Sequence, residues 1–436
     1  MKRKIYEQLL KWKEKNIDTP LMVIGARQVG KTYIIKEFCE KEFEKNIYIN
    51  LLEHSEIVEM FKQKISTEEK FMRLQIILNK SIDIENTIIF FDEVQESEEI
   101  ISSLKYFCED KRPFKIICAG SLLGVKINRF HSSFPVGKVR MINMYPMDFE
   151  EFILANMPEM GETLVDEIRK CYNQNKKMSD VLHQKLMDLY KIYLCIGGMP
   201  ACINNFLQNN KEILKYDKEI MKNIINSYLN DMNKYVLNSF EATRIEEIYK
   251  TIPAQLENLS KKFQYSKIKK GARSKDYESA LNWLYSSNLV YKCTALNSIN
   301  IPPMAYIDSE VFKLFLSDVG ILTSLLEINY NQIILNDNFL YKGVLAENYV
   351  AQEFVFNDIT LYYWKSKSDA EIDFIIYNED GLIPIEVKSS DNTKAKSLKT
   401  YMERFKPKYA IRISSKNFGF ENNIKSIPLY ATFLIK

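Results

Sequence analysis

Residues 25–32 carry a pattern with a defined chemistry. Gly25-Ala26-Arg27-Gln28-Val29-Gly30-Lys31-Thr32 matches G-x-x-x-x-G-K-[ST] at every fixed position. Gly25 and Gly30 permit backbone conformations and close approaches that a side chain would block, so successive N–H groups and a helix start can face phosphate oxygens. Lys31 would bring a point charge to the β and γ phosphates of ATP, and Thr32 a hydroxyl to Mg2+. Further on, Ile88-Ile89-Phe90-Phe91-Asp92-Glu93 reads as a buried strand that ends in two acids. Asp92 is placed to hold the magnesium hydration shell and Glu93 to polarise the attacking water. Alone, such a pair is a common solvated turn; next to the phosphate loop it is a catalytic pair. Ser121, after the strand-like Lys115–Ala119 and Gly120, is a candidate sensor of the γ phosphate, or the polar residue of a turn. Arg129, Lys138 and Arg140 are candidates for a charge that completes a neighbouring copy's site in an oligomer, against the plainer reading of surface cations.

A second constellation lies near the other end. Glu371-Ile372-Asp373-Phe374-Ile375-Ile376-Tyr377, a turn around Glu379-Asp380-Gly381, and Ile383-Pro384-Ile385-Glu386-Val387-Lys388 read as a hairpin. Asp373 lies near the start of one strand, while Glu386 and Lys388, two apart, share a face of the other. Two carboxylates and a lysine converging there suit metal-assisted phosphodiester cleavage, in which acids bind Mg2+ and a lysine steadies or deprotonates the attacking water. The spacing D-x12-E-x-K resembles the restriction-endonuclease-like nuclease motif, PD-(D/E)xK. Glu347, on an expected helix Val344–Phe354, matches the upstream acid such folds often add. The plain alternative is a solvated strand face with a Glu and a Lys paired by chance.

The elements that must position these residues follow from periodicity. Residues 3–16 read as a helix with Ile5, Leu9, Leu10 and Trp12 on one face, and Leu21–Ile24 as a strand. Gly25–Thr32 is then a loop, and Tyr33–Glu40 a helix with Ile34, Ile35 and Phe38 inward. Ile47–Leu51, Thr87–Phe91 and Phe114–Ala119 are apolar runs of strand length. Runs apolar on both faces imply a parallel sheet covered by helices. From about Tyr145 to Phe240 the pattern is helical, fitting a lid and bridge. Residues 241–300 suggest three short helices and then a strand at Leu289–Cys293, the make-up of a helix-turn-helix or winged-helix unit. Strands return at Leu361–Trp364, Ile372–Tyr377, Ile383–Lys388 and Tyr409–Ile413. The fold class read from this is α/β, with a P-loop parallel sheet and a second, nuclease-like α/β domain. The expected divisions are 1–150, 151–240, 241–325 and 326–436.

Composition narrows the rest. A chain of 436 residues with 46% hydrophobic and 27% charged residues is a folded chain of about two to four domains. Net charge is only +3, so contact with DNA has to come from local basic runs. The densest run is Lys261, Lys262, Lys267, Lys269, Lys270, Arg273 and Lys275, interrupted by Phe263, Tyr265 and Tyr277. Within a helix-turn-helix, residues 261–277 could contact phosphates without reading sequence, although a solvated helix face has the same composition. Seven scattered cysteines without a C-x-x-C pair argue against disulfides and structural zinc and point to a reducing, cytoplasmic setting. His54, His131 and His183 have no ligand spacing. The basic start Lys2–Lys4 precedes an apolar stretch broken by Glu7, Lys11 and Lys13, unlike a signal peptide, and there is no run of about 18 apolar residues to span a membrane.

The phosphate loop GARQVGKT, the strand end FFDEVQ, CAGSLLG, FPVGKV, MYPMDFEEF, IGGMP at 196–200 and LSDVGIL at 316–322 together resemble bacterial and archaeal AAA-type ATPases that carry a C-terminal domain of unknown function. The resemblance covers nearly the whole chain. It implies a cytoplasmic, ATP-binding ATPase with a winged-helix-like segment and a nuclease-like C-terminal fold. Two functional expectations follow: nucleotide state controls a DNA-contacting nuclease-like domain, or the chain is a regulatory switch or scaffold whose last domain binds a partner without cleaving.

Overall fold

The computed structural model describes residues 1–15, 17–127, 134–234, 236, 239–258, 261–336, 339–366, 370–389 and 396–436. Arg129 and His131 lie outside them. The chain divides into two compact units: Lys2–Tyr145 with Ser286–Asn288, and Met1 with Pro146–Tyr285 and Leu289–Lys436.

The N-terminal unit is built on five parallel strands, β1 (Leu21–Ile24), β2 (Lys45–Asn50), β3 (Thr87–Asp92), β4 (Lys115–Gly120) and β5 (Arg140–Asn143), in the order β2-β3-β4-β1-β5. All six residues of β3 are buried, as two-sided cover by helices requires. Helix Ile5–Lys15 turns Ile5, Leu9 and Trp12 inward, and the Trp12 indole donates to Thr19 O at 2.8 Å. Phe61, Phe71, Phe107 and Phe114 form an edge-packed aromatic layer beside the sheet. Register aligns Ile24 with Gly120, Phe91 with Cys118, and Asn50 with Asp92. The ends of β1, β3 and β4 therefore share one sheet edge, the carboxyl edge at which open α/β sheets bind ligands. One expected boundary shifts. The helix after the loop starts at Lys31 rather than Tyr33, because left-handed Gly30 (φ 96°) closes the loop and puts Lys31 and Thr32 in the first helical turn.

The C-terminal unit begins with helices, among them Phe149–Asn156, Gly161–Gln174, Asp180–Ile196, Pro200–Gln208 and Glu219–Lys234. It continues into a sheet of eight strands: β6 (Val290–Leu296), β7 (Ile307–Leu316), β8 (Tyr362–Lys365), β9 (Glu371–Asn378), β10 (Gly381–Lys388), β11 (Ala410–Ser414), β12 (Gly419–Glu421) and β13 (Ile424–Pro428). Their order is β12-β13-β11-β10-β9-β8-β6-β7. The β9–β10 hairpin forms with the register expected of a tight turn, Gly381 opposite Asn378. β6 and β7 pair with each other and, through β8, join this same sheet, which therefore runs across position 325. Helices Ser239–Glu257 and Ser274–Ser286 are separated by residues 258–273, far more than the three or four residues of a helix-turn-helix turn. The basic run accordingly lies mostly in a connection and not on a helix face.

Helix Lys342–Phe356 is buried along most of its length, and Asn348, Gln352 and Glu353 serve backbone groups. The Asn348 side chain donates to Leu316 O (3.0 Å) and accepts from Leu316 N (2.8 Å), acting as a strand partner at the end of β7. Gln352 accepts from Val319 N at 2.8 Å and donates to Tyr193 OH at 2.9 Å. Glu353 accepts from Phe149 N at 3.1 Å, at the N-terminus of helix Phe149–Asn156.

The segments IGGMP and LSDVGIL meet at one carboxylate. Asp318 is fully buried and accepts from Gly198 N (2.6 Å), Gly320 N (2.9 Å) and Ile321 N (3.2 Å), capping helix Val319–Leu325 and gripping the Gly197–Gly198 turn. Gly197 sits at φ 72°, and a Cβ there would come within 2.0 Å of the Asp318 carboxylate. Burial pushes the Asp318 carboxyl up to about 6 against the pull of those three N–H groups. Asp318→Ala leaves three buried donors without an acceptor and is expected to cost about 3 kcal/mol, read as a lower urea midpoint. Asp318→Asn, which keeps one acceptor oxygen, should lose less. Equal midpoints for wild type and Asp318→Ala would refute this account.

Candidate functional site

At the carboxyl edge of the N-terminal sheet the loop 25–30 leaves β1 and enters helix Lys31–Glu42. Gly25 packs so closely on β5's exit that a Cβ would lie 2.1 Å from Met144 O. Gln28 (φ 64°) and Gly30 are left-handed, the alternation that turns successive N–H groups into an anion-binding concavity. The Lys31 ammonium is folded back onto Gly25 O (2.9 Å) and Ala26 O (2.7 Å). It is buried, and burial lowers it to about 8, with Arg27 acting in the same direction and Glu93 and Asp92 opposing.

Thr32 Oγ1 donates to Asp92 Oδ2 at 2.8 Å, so the two residues expected to hold magnesium are already side by side. Burial raises the Asp92 carboxyl, and the Thr32 hydroxyl counters it. Glu93 stands on left-handed backbone (φ 54°), a rare conformation for a side-chain-bearing residue and one often found at functional sites. Its carboxylate accepts from the Gln95 amide. Ser121 is buried and its hydroxyl accepts from Arg27 Nε at 3.3 Å. Val29 contributes its carbonyl to Arg3. Lys138 pairs with Glu109 at 3.1 Å, and Arg140 is exposed at the start of β5.

Two residues of this site escaped the sequence reading. Arg3 donates to Val29 O at 2.8 Å and to Tyr145 O at 2.6 Å, fastening the phosphate loop to the end of the unit. The Tyr48 hydroxyl donates to Asp92 Oδ2 at 3.1 Å, and Lys36 lies 3.4 Å over the Tyr48 ring. Neither has a motif. The only available signal for Tyr48 was its place near the end of β2, opposite Phe90.

In the C-terminal unit, Asp373 lies where β9 carries one residue more than β8: Tyr362 pairs with Ile375 and Trp364 with Ile372. Such bulges re-aim side chains beside active sites. Ile372 and Ile375 both join the core layer of Leu398 and Tyr401, whereas Phe374 meets Phe315 and Phe354. Asp373 Oδ2 accepts from Val387 N at 2.8 Å, tying it to β10 between Glu386 and Lys388. Its carboxyl is pushed up to about 6 by burial and by the negative Glu347, with Lys261 and Lys313 acting against them. Glu386 is buried and paired with Lys388 at 2.9 Å; burial lowers the Lys388 ammonium, but Glu386 outweighs it and the net shift is upward. Glu347, Asp373, Glu386 and Lys388 thus act on one another electrostatically. One oxygen of Glu347 and one of Glu386 are buried without a hydrogen-bond partner.

Two further lysines belong to this cluster. Lys261 pairs with Glu347. Fully buried Lys313, on β7, pairs with Glu371 at 2.5 Å and lies 4.6 Å over the Tyr363 ring. The reading of the basic run as one phosphate-contacting surface therefore changes. Lys261 is taken by Glu347, and Phe263 and Tyr277 are buried, Phe263 stacked on Phe312 and Tyr277 bonded to Glu247. Lys262, Lys267, Lys269, Lys270, Arg273 and Lys275 remain exposed. All seven cysteines are free thiols. Among the described residues no three His, Cys, Asp or Glu side chains stand close enough to chelate a metal as they are, and no helix is long and apolar enough to cross a membrane. His183 is structural, contacting Tyr430 OH (2.9 Å) and Ser415 O (3.0 Å).

Residues 18–153 match the AAA domain family, so the N-terminal unit holds an AAA-type P-loop ATPase domain. Residues 187–332 and 342–432 match two domains of unknown function, DUF8612 and DUF4143. Among solved structures the chain is similar to a Walker-type ATPase of Pyrococcus abyssi, with 18% identity, 75% of this chain and 96% of that one covered, and a TM-score of 0.45. It is also similar to the ORC2 protein of Aeropyrum pernix, with 13% identity, coverage of 76% and 92%, and a TM-score of 0.32. A STAND protein with a tetratricopeptide repeat sensor from Pyrococcus horikoshii follows at 13% identity, coverage of 82% and 45%, and a TM-score of 0.29. No curated protein matches the chain.

Because the Tyr48 hydroxyl holds Asp92 Oδ2, the oxygen that Thr32 also holds, Tyr48→Phe is expected to raise roughly tenfold the Mg2+ concentration needed for half-maximal nucleotide hydrolysis. An unchanged Mg2+ titration would show that Thr32 alone orients the carboxylate.

Proposed function

We infer that the chain is a Mg2+-dependent ATPase whose nucleotide state controls a nuclease-like, DNA-contacting C-terminal domain. The observation that carries the ATPase reading is the meeting of Lys31, Thr32 and Asp92 at the end of a parallel sheet, directly under a loop of left-handed turns. Two oxygen donors at hydrogen-bond distance suit Mg2+, which takes one or two protein ligands and keeps its waters. Thr32 and Asp92 would hold Mg2+, which when bound would supply charge that neutralises the negative charge developing in the transition state. The Lys31 ammonium exchanges two carbonyl oxygens for phosphate oxygens, and the N–H groups of residues 25–32 hold the remaining charge. Glu93, steadied by Gln95, accepts the proton of the attacking water.

The cleavage reading is supported by Asp373, Glu386, Lys388 and Glu347 and by the orphaned oxygens of Glu347 and Glu386, which suit a cation. The exposed cations among residues 262–275 suit DNA phosphates. What supports control of one unit by the other is that they share a chain. The second reading, a switch or scaffold with a non-cleaving C-terminal domain, is favoured by Lys261 and Lys388, which already neutralise Glu347 and Glu386.

ATP hydrolysis and DNA cleavage, assayed side by side with Mg2+ or Mn2+, separate these readings. Lys31→Ala should abolish nucleotide binding. Glu93→Gln should keep binding and lower hydrolysis a hundredfold or more, roughly the worth of a general base. Lys388→Ala should keep hydrolysis and abolish cutting. Hydrolysis without cutting of any DNA by wild type would favour the second reading, and wild type that hydrolyses no ATP would sink the ATPase reading.

A further inference from the structure

Lys261 reaches the C-terminal carboxylates from far away in sequence, on a segment that is itself fixed. Its neighbour Phe263 donates its N–H to Phe312 O at 2.8 Å and stacks its ring on Phe312 at 5.4 Å, so the segment is docked on β7. Gln264 N donates to Gln255 Oε1 at 2.6 Å, which fixes the segment to helix Ser239–Glu257. Lys261 has left-handed backbone (φ 45°) and its N–H donates to Asn258 O at 3.0 Å. The side chain is thereby delivered to Glu347 Oε1, while Glu347 Oε2 stays buried without a partner. A monovalent ammonium thus satisfies half of a buried carboxylate, and the Lys261 charge also reaches Asp373. Two neighbouring carboxylates of which one is buried are disfavoured unless positive charge stands beside them or one takes a proton, and of the three lysines that act on them, Lys261, Lys313 and Lys388, only Lys261 is paired with Glu347 itself.

We propose that Lys261 is the resident counter-cation of the Glu347–Asp373 site, and that a divalent cation binds there by displacing it. The proposal rests on the reading of these acids as a metal site. Lys261 is paired with Glu347, and Lys388 with Glu386. A divalent ion would supply at Glu347 the charge that the ammonium now supplies, leaving Lys261 to turn toward solvent beside exposed Lys262.

The test is calorimetric titration of the full chain with Mn2+ alone, without nucleotide, in an Asp92→Asn background that removes the carboxylate proposed to hold Mg2+ at the nucleotide site. Lys261→Met is expected to bind Mn2+ about tenfold or more tightly than the parent, because the competing charge is gone. Lys261→Arg, which keeps a cation, should bind as the parent does. Mn2+ should also raise the melting temperature of Lys261→Met more than that of the parent, since the variant starts with an unpaired buried acid. Lys261→Gln, which keeps a donor for Glu347, replaces Lys261→Met if the latter does not fold. Unchanged or weaker Mn2+ binding in Lys261→Met, or in Lys261→Gln where it replaces it, with binding lost in Glu347→Gln, would make Lys261 a structural partner and overturn the proposal while the metal site stands. No Mn2+ binding by any variant would overturn both.

Discussion

Buried charge has to be answered at once by an opposite charge or by hydrogen-bond donors, and much of this protein is arranged around that requirement. In the C-terminal unit, Asp318, Glu347, Glu353, Glu386 and Lys313 are all buried. Asp318 is answered by three backbone N–H groups, Glu353 by the start of a helix, and Lys313 by Glu371 and the face of Tyr363. Once made, these pairings fix which turn meets which helix. The Gly197–Gly198 turn cannot slide along helix Val319–Leu325, because Asp318 holds both. Asn348 and Gln352 do the same for the chain leaving β7.

The same requirement separates Asp318 from Glu347 and Glu386. Asp318 has no unmet oxygen, and its environment leaves no room for a ligand: even a methyl group on Gly197 would collide with it. Glu347 and Glu386 each keep a buried oxygen with no partner. Both cases are buried carboxylates near glycine-containing or strand-end motifs, and the difference lies in whether the backbone has closed around them. That is why IGGMP and LSDVGIL, which stood out as motifs, belong to architecture, whereas the less conspicuous hairpin acids remain open to chemistry.

Much of the N-terminal unit was legible. Strands read at Leu21–Ile24 and Thr87–Phe91 formed within a residue or two, because both-faced apolar runs bounded by polar residues have few alternatives. The loop into the helix that starts at Lys31 and the strand end at Asp92 formed close to where the local spacing placed them. The β9–β10 hairpin was legible for the same reason. What sequence could not give is the non-local partnership. Nothing near Arg3 announces that it will hold Val29 and Tyr145, and nothing near Lys261 announces Glu347. The segment 241–325 illustrates the larger form of this limit. Its helices and strands were readable one by one, but whether β6 and β7 stand as a separate wing or extend a sheet depends on β8, which comes only later in the chain.

The two candidate sites share a physical device that their unlike folds hide. In each, a lysine of the chain rests on oxygen atoms that an incoming ligand would compete for or replace: Lys31 on the carbonyls of Gly25 and Ala26, Lys261 on the carboxylate of Glu347. The consequences differ because the oxygens differ. Carbonyl groups are neutral, so Lys31 gives up only dipoles and gains full charges when phosphates arrive, and its burial makes that exchange more favourable. Glu347 is an anion, so Lys261 already has a full charge opposite it, and an arriving cation must do better than an ammonium ion to take its place. The first arrangement readies its lysine for an anionic ligand. On the proposed reading the second would set a threshold for a cation arriving at Glu347, which crosses it only if its charge exceeds that of an ammonium ion.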